Sequence, residues 1–393
     1  MSNKIEKKFN MDYGLLFLII LLAIISIIGI YLADPIMPSY LSGTNLWSKQ
    51  LQWYIIGFIT LIFLYKLDID RLFSLSRILY WVFIFLLLLL LVDKFLINIP
   101  DVLIKPVNGT TAWIQIPFIG SLQPSEFMKI ILILRCANII SDHNDNKEEM
   151  SYESDLLLFW KVLKISILPL ILIIAEPDTG IPIIIMVSII VMLLIGGIRK
   201  EWFIIGFVLL ISLIGIILYL FYYNPTLLGN LLGDSYRLNR FYGWLETEKY
   251  YRSFGNQLYT SLLLMGSSGF NGMEFNQAII NFPEPQTDFI FTVLGQNFGF
   301  IGSLTIISVI TIFDIKLITI AINFEKQREK LLLVGMIGML LFQQFQNISM
   351  IIGILPITGV TLPFISYGGS SMLSYFIPMS AVFYMSSENK AKH

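Results

Sequence analysis

A single cysteine, Cys136, occurs in 393 residues. That excludes an intrachain disulfide and any cysteine-based metal cluster. Histidine is nearly as scarce. His143 and His393 are the two, both in hydrophilic segments, so a histidine-rich metal site is excluded as well. Charge is short too: Asp, Glu, Lys and Arg make up 13% of the chain, about half of the ~25% usual in a soluble domain. The 26 basic and 27 acidic residues leave a net charge of −1, without the basic excess that binding to nucleic acid requires. What fills the sequence instead is apolar, 56% of all residues. A soluble globule of this length has no need of that composition, whereas an integral membrane protein with many spans does.

Residues 1–10 are polar and carry Lys4, Lys7 and Lys8, and the run 14–33 that follows is 20 uncharged residues. It is too long for the apolar region of a cleavable signal and right for a spanning helix, so it is expected to stay as the first span. Further spans are predicted at 51–65, 78–97, 125–140, 158–175, 179–198, 202–222 and 289–313. The fourth has the weakest signal, because it carries Glu126, Lys129 and Arg135. After Leu331 no charge appears until Glu388, a stretch too long for one helix. The Gly/Pro-rich segment 356–371 divides it into a ninth and a tenth span.

With the N-terminus placed in the cytoplasm, eighteen Lys and Arg fall on inside segments and seven on outside ones, and Lys129 within a span completes the set. That asymmetry follows the positive-inside rule. The reading is an all-α polytopic membrane protein, one integral domain over 1–393 with about ten transmembrane helices and both termini cytoplasmic. Most connections are short. The exception is 223–288, an extracytoplasmic loop of 66 residues between spans seven and eight, too long for a mere connector. Its apolar stretch 258–265 suggests helices lying in or dipping into the membrane interface. The outside loop 98–124 is the second largest, so function is sought on this face; the acidic loop 142–155 reads as a solvated connector.

Charges in or beside spans are costly and usually have a task. Four clusters qualify. Asn108-Gly109-Thr110-Thr111-Ala112-Trp113-Ile114 is followed by Gln123-Pro124-Ser125-Glu126 and Lys129. Pro-Ser-Glu reads as a helix start, with Ser125 as cap and Glu126 at the positive helix end. Glu126 and Lys129, three apart, share a helix face and form either a buried structural ion pair or a substrate contact. Glu176-Pro177-Asp178-Thr179-Gly180 sets two acids at a membrane boundary, as a capped turn or as part of a site. Tyr236-Arg237-Leu238-Asn239-Arg240, with Arg252 and Asn256-Gln257 further on, offers guanidinium forks to a pyrophosphate or anchors to lipid headgroups. In Pro283-Glu284-Pro285-Gln286-Thr287-Asp288-Phe289, Asp288 sits where the long loop enters the eighth span. It is a general base among aromatics or a helix cap. The uncharged segment 355–371 needs its backbone satisfied by neighbouring helices or a wet cavity.

Taken together, segments 108–114, 123–129, 177–180, 237–240, 283–302 and 347–371 resemble, in order, the SEDS family (shape, elongation, division, sporulation) of RodA, FtsW and SpoVE. They cover nearly the whole chain. The resemblance implies ten spans with a large outer loop between the seventh and eighth, and a peptidoglycan glycosyltransferase in the bacterial cytoplasmic membrane. Such a protein polymerises lipid II on the outer face, among membrane lipids, beside a class B penicillin-binding protein that supplies the transpeptidase. The family's essential aspartate falls on Asp288, which deprotonates the acceptor sugar hydroxyl. That hydroxyl attacks the anomeric carbon of the donor, and undecaprenyl pyrophosphate leaves. Glu126 and Lys129 match the family's ion pair, and Asp178 its Pro-Asp-x-Gly aspartate. Arg237, Arg240 and Arg252 are the candidates for the pyrophosphate, with Trp113 and Gln257 as further substrate contacts. No metal ligand is assigned and the cofactor is unknown, a divalent cation such as Mg or Mn being compatible with the leaving group.

This chain departs from the family pattern at Gln286, where His is common, at Gly295-Gln296, where an acidic pair is common, and at Ala112, where a basic residue is common. These changes bear on affinity and rate more than on reaction class. The run 347–359 leans towards RodA-type elongation proteins, with division and sporulation roles open. Two other readings stand beside the polymerase. A lipid II flippase needs polar groups along its whole path, whereas the charges here gather in the outer halves of the spans. A non-catalytic scaffold that activates a penicillin-binding protein is supported only by the departures just named.

Overall fold

A computed structural model describes residues 11–38, 41–95, 104, 111–116, 120–147, 149, 151–176, 178, 180–232, 235–273 and 283–392, with side chains described for all of these except 232, 235–237 and 390–392. Long helices dominate. They are α1 (Tyr13–Ala33), α2 (Leu46–Leu67) and α3 (Ile69–Phe95), then a two-stranded antiparallel pair, β1 (Ile114–Ile116) and β2 (Gly120–Leu122). Next come α4 (Pro124–Asp145), α5 (Tyr152–Ala175), α6 (Gly180–Ile195) and α7 (Glu201–Tyr223). Three short helices fill the long connection: α8 (Pro225–Leu232), α9 (Ser235–Leu245) and α10 (Asn256–Ser267). The chain closes with α11 (Ile290–Ile322), α12 (Gln327–Ile351) and α13 (Gly369–Lys392).

Ten of these helices coincide with the ten predicted spans. Among the described residues seven are long and apolar enough to cross a membrane, and α6 is a shorter apolar helix. Hydropathy under-reads α4 for a physical reason. It lies at the centre, packed by α3, α5, α6, α12 and α13, so protein rather than lipid surrounds its polar side chains. α12 is its counterpart, buried over most of its length. The rim is the opposite case. Of α7 only Phe221 is buried, and the outer faces of α1, α2, α3, α5 and α11 also show rows of exposed Leu, Ile and Phe. Such a belt suits hydrocarbon and not water: this is a multi-pass membrane protein.

Several boundaries differ from the sequence reading. α3 and α5 begin earlier than predicted, running through Arg71 and Arg77 and through Asp155. Asp155 is no solvated connector residue. It is fully buried and accepts from Arg199 N and Trp202 Nε1, both at 3.1 Å, which pins the α6–α7 turn. Ser125 does not cap α4: the helix starts one residue earlier at Pro124, Gln123 is the cap position, and Ser125 Oγ is buried without a partner. α11 runs past Lys316 to Ile322 and breaks at Gly299 (φ 64°). There the backbone of the long connection comes too close for any Cβ. It takes over the broken ladder, Phe300 N donating to Gly269 O at 3.0 Å and Met273 N to Gln296 O at 2.9 Å.

The bundle has two distinct ends. At one, Asp12 before α1 takes Lys316 of α11 at 3.0 Å and Ser386 of α13 at 2.5 Å. Arg328 at the start of α12 pairs with Asp70 at the start of α3. Residues 12 and 386 thus lie together. At the other end converge the starts of α2, α4, α6, α11 and α13, beside the long connection, and there a cavity opens.

Candidate active site

The cavity measures about 960 Å³, at the upper end of the range of small-molecule sites. Its walls are the first turns of α2 (Lys49, Gln52, Trp53), α4 (Glu126) and α6 (Gly180), with Trp113 and Gln115 beside β1. Arg240 of α9, the 284–288 turn and segment 358–371 complete it. Converging helix starts bring the positive ends of several backbone dipoles to one place, which favours an anion there.

The uncharged segment between α12 and α13 crosses the protein without regular structure, so its carbonyls need partners. Polar side chains on otherwise apolar helices supply them. Ser26 Oγ donates to Ile365 O at 2.7 Å, Gln50 Nε2 to Ser366 O at 3.2 Å, and Tyr54 OH to Phe364 O. The segment in turn holds the turn before α11. Ser366 Oγ donates to Thr287 O at 2.7 Å and Tyr367 N to Gln286 O at 2.9 Å. Asn347 of α12, fully buried, ties the two together, donating from Nδ2 to Asp288 O and to Val360 O at 2.8 Å each. Gly359 (φ 77°) faces the carboxylate, and a Cβ on it would stand 3.5 Å from Asp288 Oδ2. The backbone of Asp288 is therefore fixed from two sides while its side chain looks into the cavity.

Asp288 is not the helix cap that the sequence left as an alternative. Phe289 holds the cap position of α11, and no side chain bonds there. Burial pushes the Asp288 carboxyl up to about 7, the Glu284 charge adding to this and Arg240 opposing it. A carboxylate poised there is a stronger base than one of ordinary acidity. Asp178 combines both of its readings. Its Oδ1 accepts from Gly180 N and Ile181 N at 3.2 Å each, capping α6, while Oδ2 takes Gln123 Nε2 at 3.0 Å at the cavity wall. Burial raises it to about 6. Glu176 behind it is fully buried, with neither carboxyl oxygen hydrogen-bonded; burial and then Asp178 push it up to about 8, with Lys94 opposing.

Glu126 lines the cavity; Lys129 does not. Its ammonium is 2.5 Å from Glu126 Oε2 with no side-chain exposure, over the Tyr375 ring at 4.6 Å. Lys129 is thus the structural half of the pair. Arg240 lines the cavity and donates Nη1 to Ile357 O at 3.0 Å. Arg252 and Gln257 are not brought to it: Arg252 is exposed over the Tyr251 ring at 5.2 Å, and Gln257 sits half-buried on α10. Arg252 lies in the turns between α9 and α10 and Gln257 on α10, and the sequence does not show which way either side chain is turned. The side chain of Arg237 and residues 105–110, 177 and 179, with their expected roles, lie outside the described residues. Sequence reasoning did not single out Lys49, Gln52, Gln123, Glu284 or Asn347. Gln123, Glu284 and Asn347 stand inside the segments quoted above; nothing local marks Lys49 or Gln52. Among the described residues no three His, Cys, Asp or Glu side chains are grouped to hold a metal ion. The donors present among the described residues do not fit a dedicated metal site.

The Asp288 turn and the uncharged segment that holds it belong to the sequence segments on which the resemblance rested. A family model for cell cycle proteins of the FtsW, RodA and SpoVE type matches residues 13–391. The chain belongs to this family. Stage V sporulation protein E of Bacillus subtilis is 32% identical over 372 residues, 93% of this chain and 94% of that protein. A probable peptidoglycan glycosyltransferase FtsW of Lactococcus lactis is 30% identical over 303 residues, 74% of this chain and 72% of that one. Among solved structures, a chain of a peptidoglycan synthase complex superposes with a TM-score of 0.73 at 22% identity, over 97% of this chain and 98% of that chain. The rod shape determining protein RodA of Thermus thermophilus follows with 0.64 at 22% identity, over 96% and 97%. The SEDS member described here therefore has the RodA fold, all-α and polytopic.

Proposed function

We propose that this SEDS protein is a peptidoglycan glycosyltransferase that extends glycan strands from lipid II, with Asp288 as its general base. The observation that carries the reading is the half-buried Asp288 carboxyl, its residue anchored through the backbone carbonyl by Asn347, facing a cavity of about 960 Å³. Curated relatives named as probable peptidoglycan glycosyltransferases support it.

The chemistry follows from the geometry. A sugar hydroxyl is a weak nucleophile. Asp288 accepts its proton as the oxygen attacks the anomeric carbon of the donor, and the bond from that carbon to the pyrophosphate oxygen breaks with its electron pair. The departing anion needs positive charge. Arg240 and Lys49 line the cavity, and the helix starts add their dipoles. Gln286 Oε1, buried and without a partner, is an acceptor for a sugar hydroxyl, and Trp113 offers an aromatic face. Gln286 thus keeps a polar, sugar-compatible group where the family commonly has His.

The cavity end is extracytoplasmic in this reading and both termini are cytoplasmic. Residues 12 and 386 lying at the opposite end support it, as does the Lys/Arg asymmetry. The whole chain acts as one membrane domain, with 223–288 as its extracytoplasmic loop. The partner is a class B penicillin-binding protein, since a structural neighbour is a chain of a peptidoglycan synthase complex. The process is wall growth in elongation or division.

Liposomes carrying the purified chain, a class B penicillin-binding protein blocked at its transpeptidase, and fluorescent lipid II test this. Glycan chains on gels, without transbilayer movement of the label, are the expected result. Movement of label without polymer supports a flippase, and neither activity alongside stimulation of the unblocked partner supports a scaffold.

A further inference from the structure

Asp288 shares its turn with a second carboxylate. Glu284, four residues earlier, faces the same cavity, and its backbone sits at φ 56°. A residue with a Cβ keeps that left-handed conformation only when its surroundings hold it there. They do so twice. The Glu284 carbonyl accepts from Thr287 N and Phe289 N at 3.3 Å each, closing the turn around Asp288. Its carboxylate Oε2 accepts from Gln286 Nε2 at 3.1 Å and Thr287 Oγ1 at 3.0 Å. Both donors are neutral groups, and together they aim and fix the carboxylate.

The groups around Asp288 come from few elements. Arg240 reaches it from α9, with the side chain of Arg237 outside the described residues. Across the cavity stand Asp178 before α6, Glu126 on α4 and Lys49 on α2, and the one titratable group that segment 358–371 brings is the Tyr367 hydroxyl. Besides burial, the Glu284 charge pushes the Asp288 carboxyl up, and Arg240 acts in the opposite sense.

We propose that Glu284 is a positioning residue for the base: its fixed negative charge, held in the same turn, keeps the Asp288 carboxylate basic enough to take a hydroxyl proton at neutral pH. The proposal rests on the reading of Asp288 as the base.

Glu284→Gln tests it. The amide keeps an oxygen for Gln286 and Thr287 and removes the charge. Infrared titration of the full-length protein, with and without Asp288→Asn in each background, isolates the protonated-carboxyl band of Asp288 without substrate. The expected midpoint in Glu284→Gln is lower by about one pH unit, and the acid limb of lipid II polymerisation moves down with it. An unmoved midpoint overturns the proposal, and so does an unmoved acid limb. Should Glu284→Gln not fold, Glu284→Asp draws the charge back by one methylene and must lower the midpoint by a smaller step; no step overturns the proposal. The infrared arm separates the two readings. A shifted band in a protein that makes no glycan at any pH refutes the base and upholds the influence of Glu284. Glycan synthesis with band and limb unmoved upholds the base and refutes Glu284.

Discussion

Asn347 is where the account meets energetics most directly. Its amide makes two hydrogen bonds of 2.8 Å, to the carbonyls of Asp288 and Val360, from a side chain with no exposure. Asn347→Ala leaves both carbonyls without that donor. Each unsatisfied buried acceptor costs about 1–3 kcal/mol, so the pair costs about 2–6 kcal/mol. Part of this is expected as a fall of several degrees in the unfolding midpoint of the detergent-purified protein. The rest appears as function, because the carbonyl that loses its anchor belongs to the base. Polymerisation measured well below the new midpoint is expected to fall by at least tenfold, for a carboxylate displaced by about 1 Å. Asn347→Asp sharpens the comparison. It keeps the shape but turns oxygens towards two carbonyls, so it is expected to be less stable than Asn347→Ala at neutral pH. Wild-type stability and rate in Asn347→Ala, or Asn347→Asp more stable than the alanine variant, refutes the reasoning.

Other outcomes follow from the same geometry. Glu126→Ala strands the buried Lys129 ammonium and is expected to cost about 3–5 kcal/mol; adding Lys129→Met recovers most of the thermal midpoint, though not the activity, because Glu126 itself lines the cavity. Gly359→Ala places a Cβ at φ 77°, a strain of about 1–2 kcal/mol, directly before the Asp288 carboxylate, and is expected to cut glycan synthesis about tenfold while the protein still inserts and folds. Burial and the neighbouring Asp178 push Glu176 up to about 8 in the folded state, against the ordinary 4.5 of an unfolded glutamate. The folded state therefore binds the extra proton between those values, and stability falls as pH rises through that window. Glu176→Gln is expected to remove this slope in thermal unfolding scans and to be the more stable protein at pH 8.

The spans were legible because lipid selects apolar runs, and α7, of which only Phe221 is buried, shows this most plainly. α4 was hardest to see for the complementary reason: protein surrounds it, and its Glu126 and Lys129 pair with each other instead of facing hydrocarbon. The break at Gly299 had no local signal, since the backbone that demands it arrives from the 269–273 segment. Asp288, Glu126, Asp178 and Arg240 stood out in the sequence because charges in or beside spans are costly, and Trp113 stood out only through the resemblance; all five line the cavity. Asn347 was invisible as an anchor. It lies 59 residues from Asp288, and only the return of segment 356–368 between α1, α2 and α12 brings the two together. Arg252 and Gln257 failed in the other direction, since sharing a loop with the site did not turn them towards the cavity.

The central claim is that Asp288 takes the acceptor proton, and the substitution that isolates it is Asp288→Asn. Asparagine keeps the shape, and the Asn347 bond goes to the backbone carbonyl, so the variant is expected to fold, insert and bind a penicillin-binding protein as wild type does. Single-turnover polymerisation of lipid II by that complex is the decisive measurement. The account expects wild type to form glycan and Asp288→Asn to form none above background. Glycan from both at comparable rates contradicts it and removes Asp288 from the chemistry.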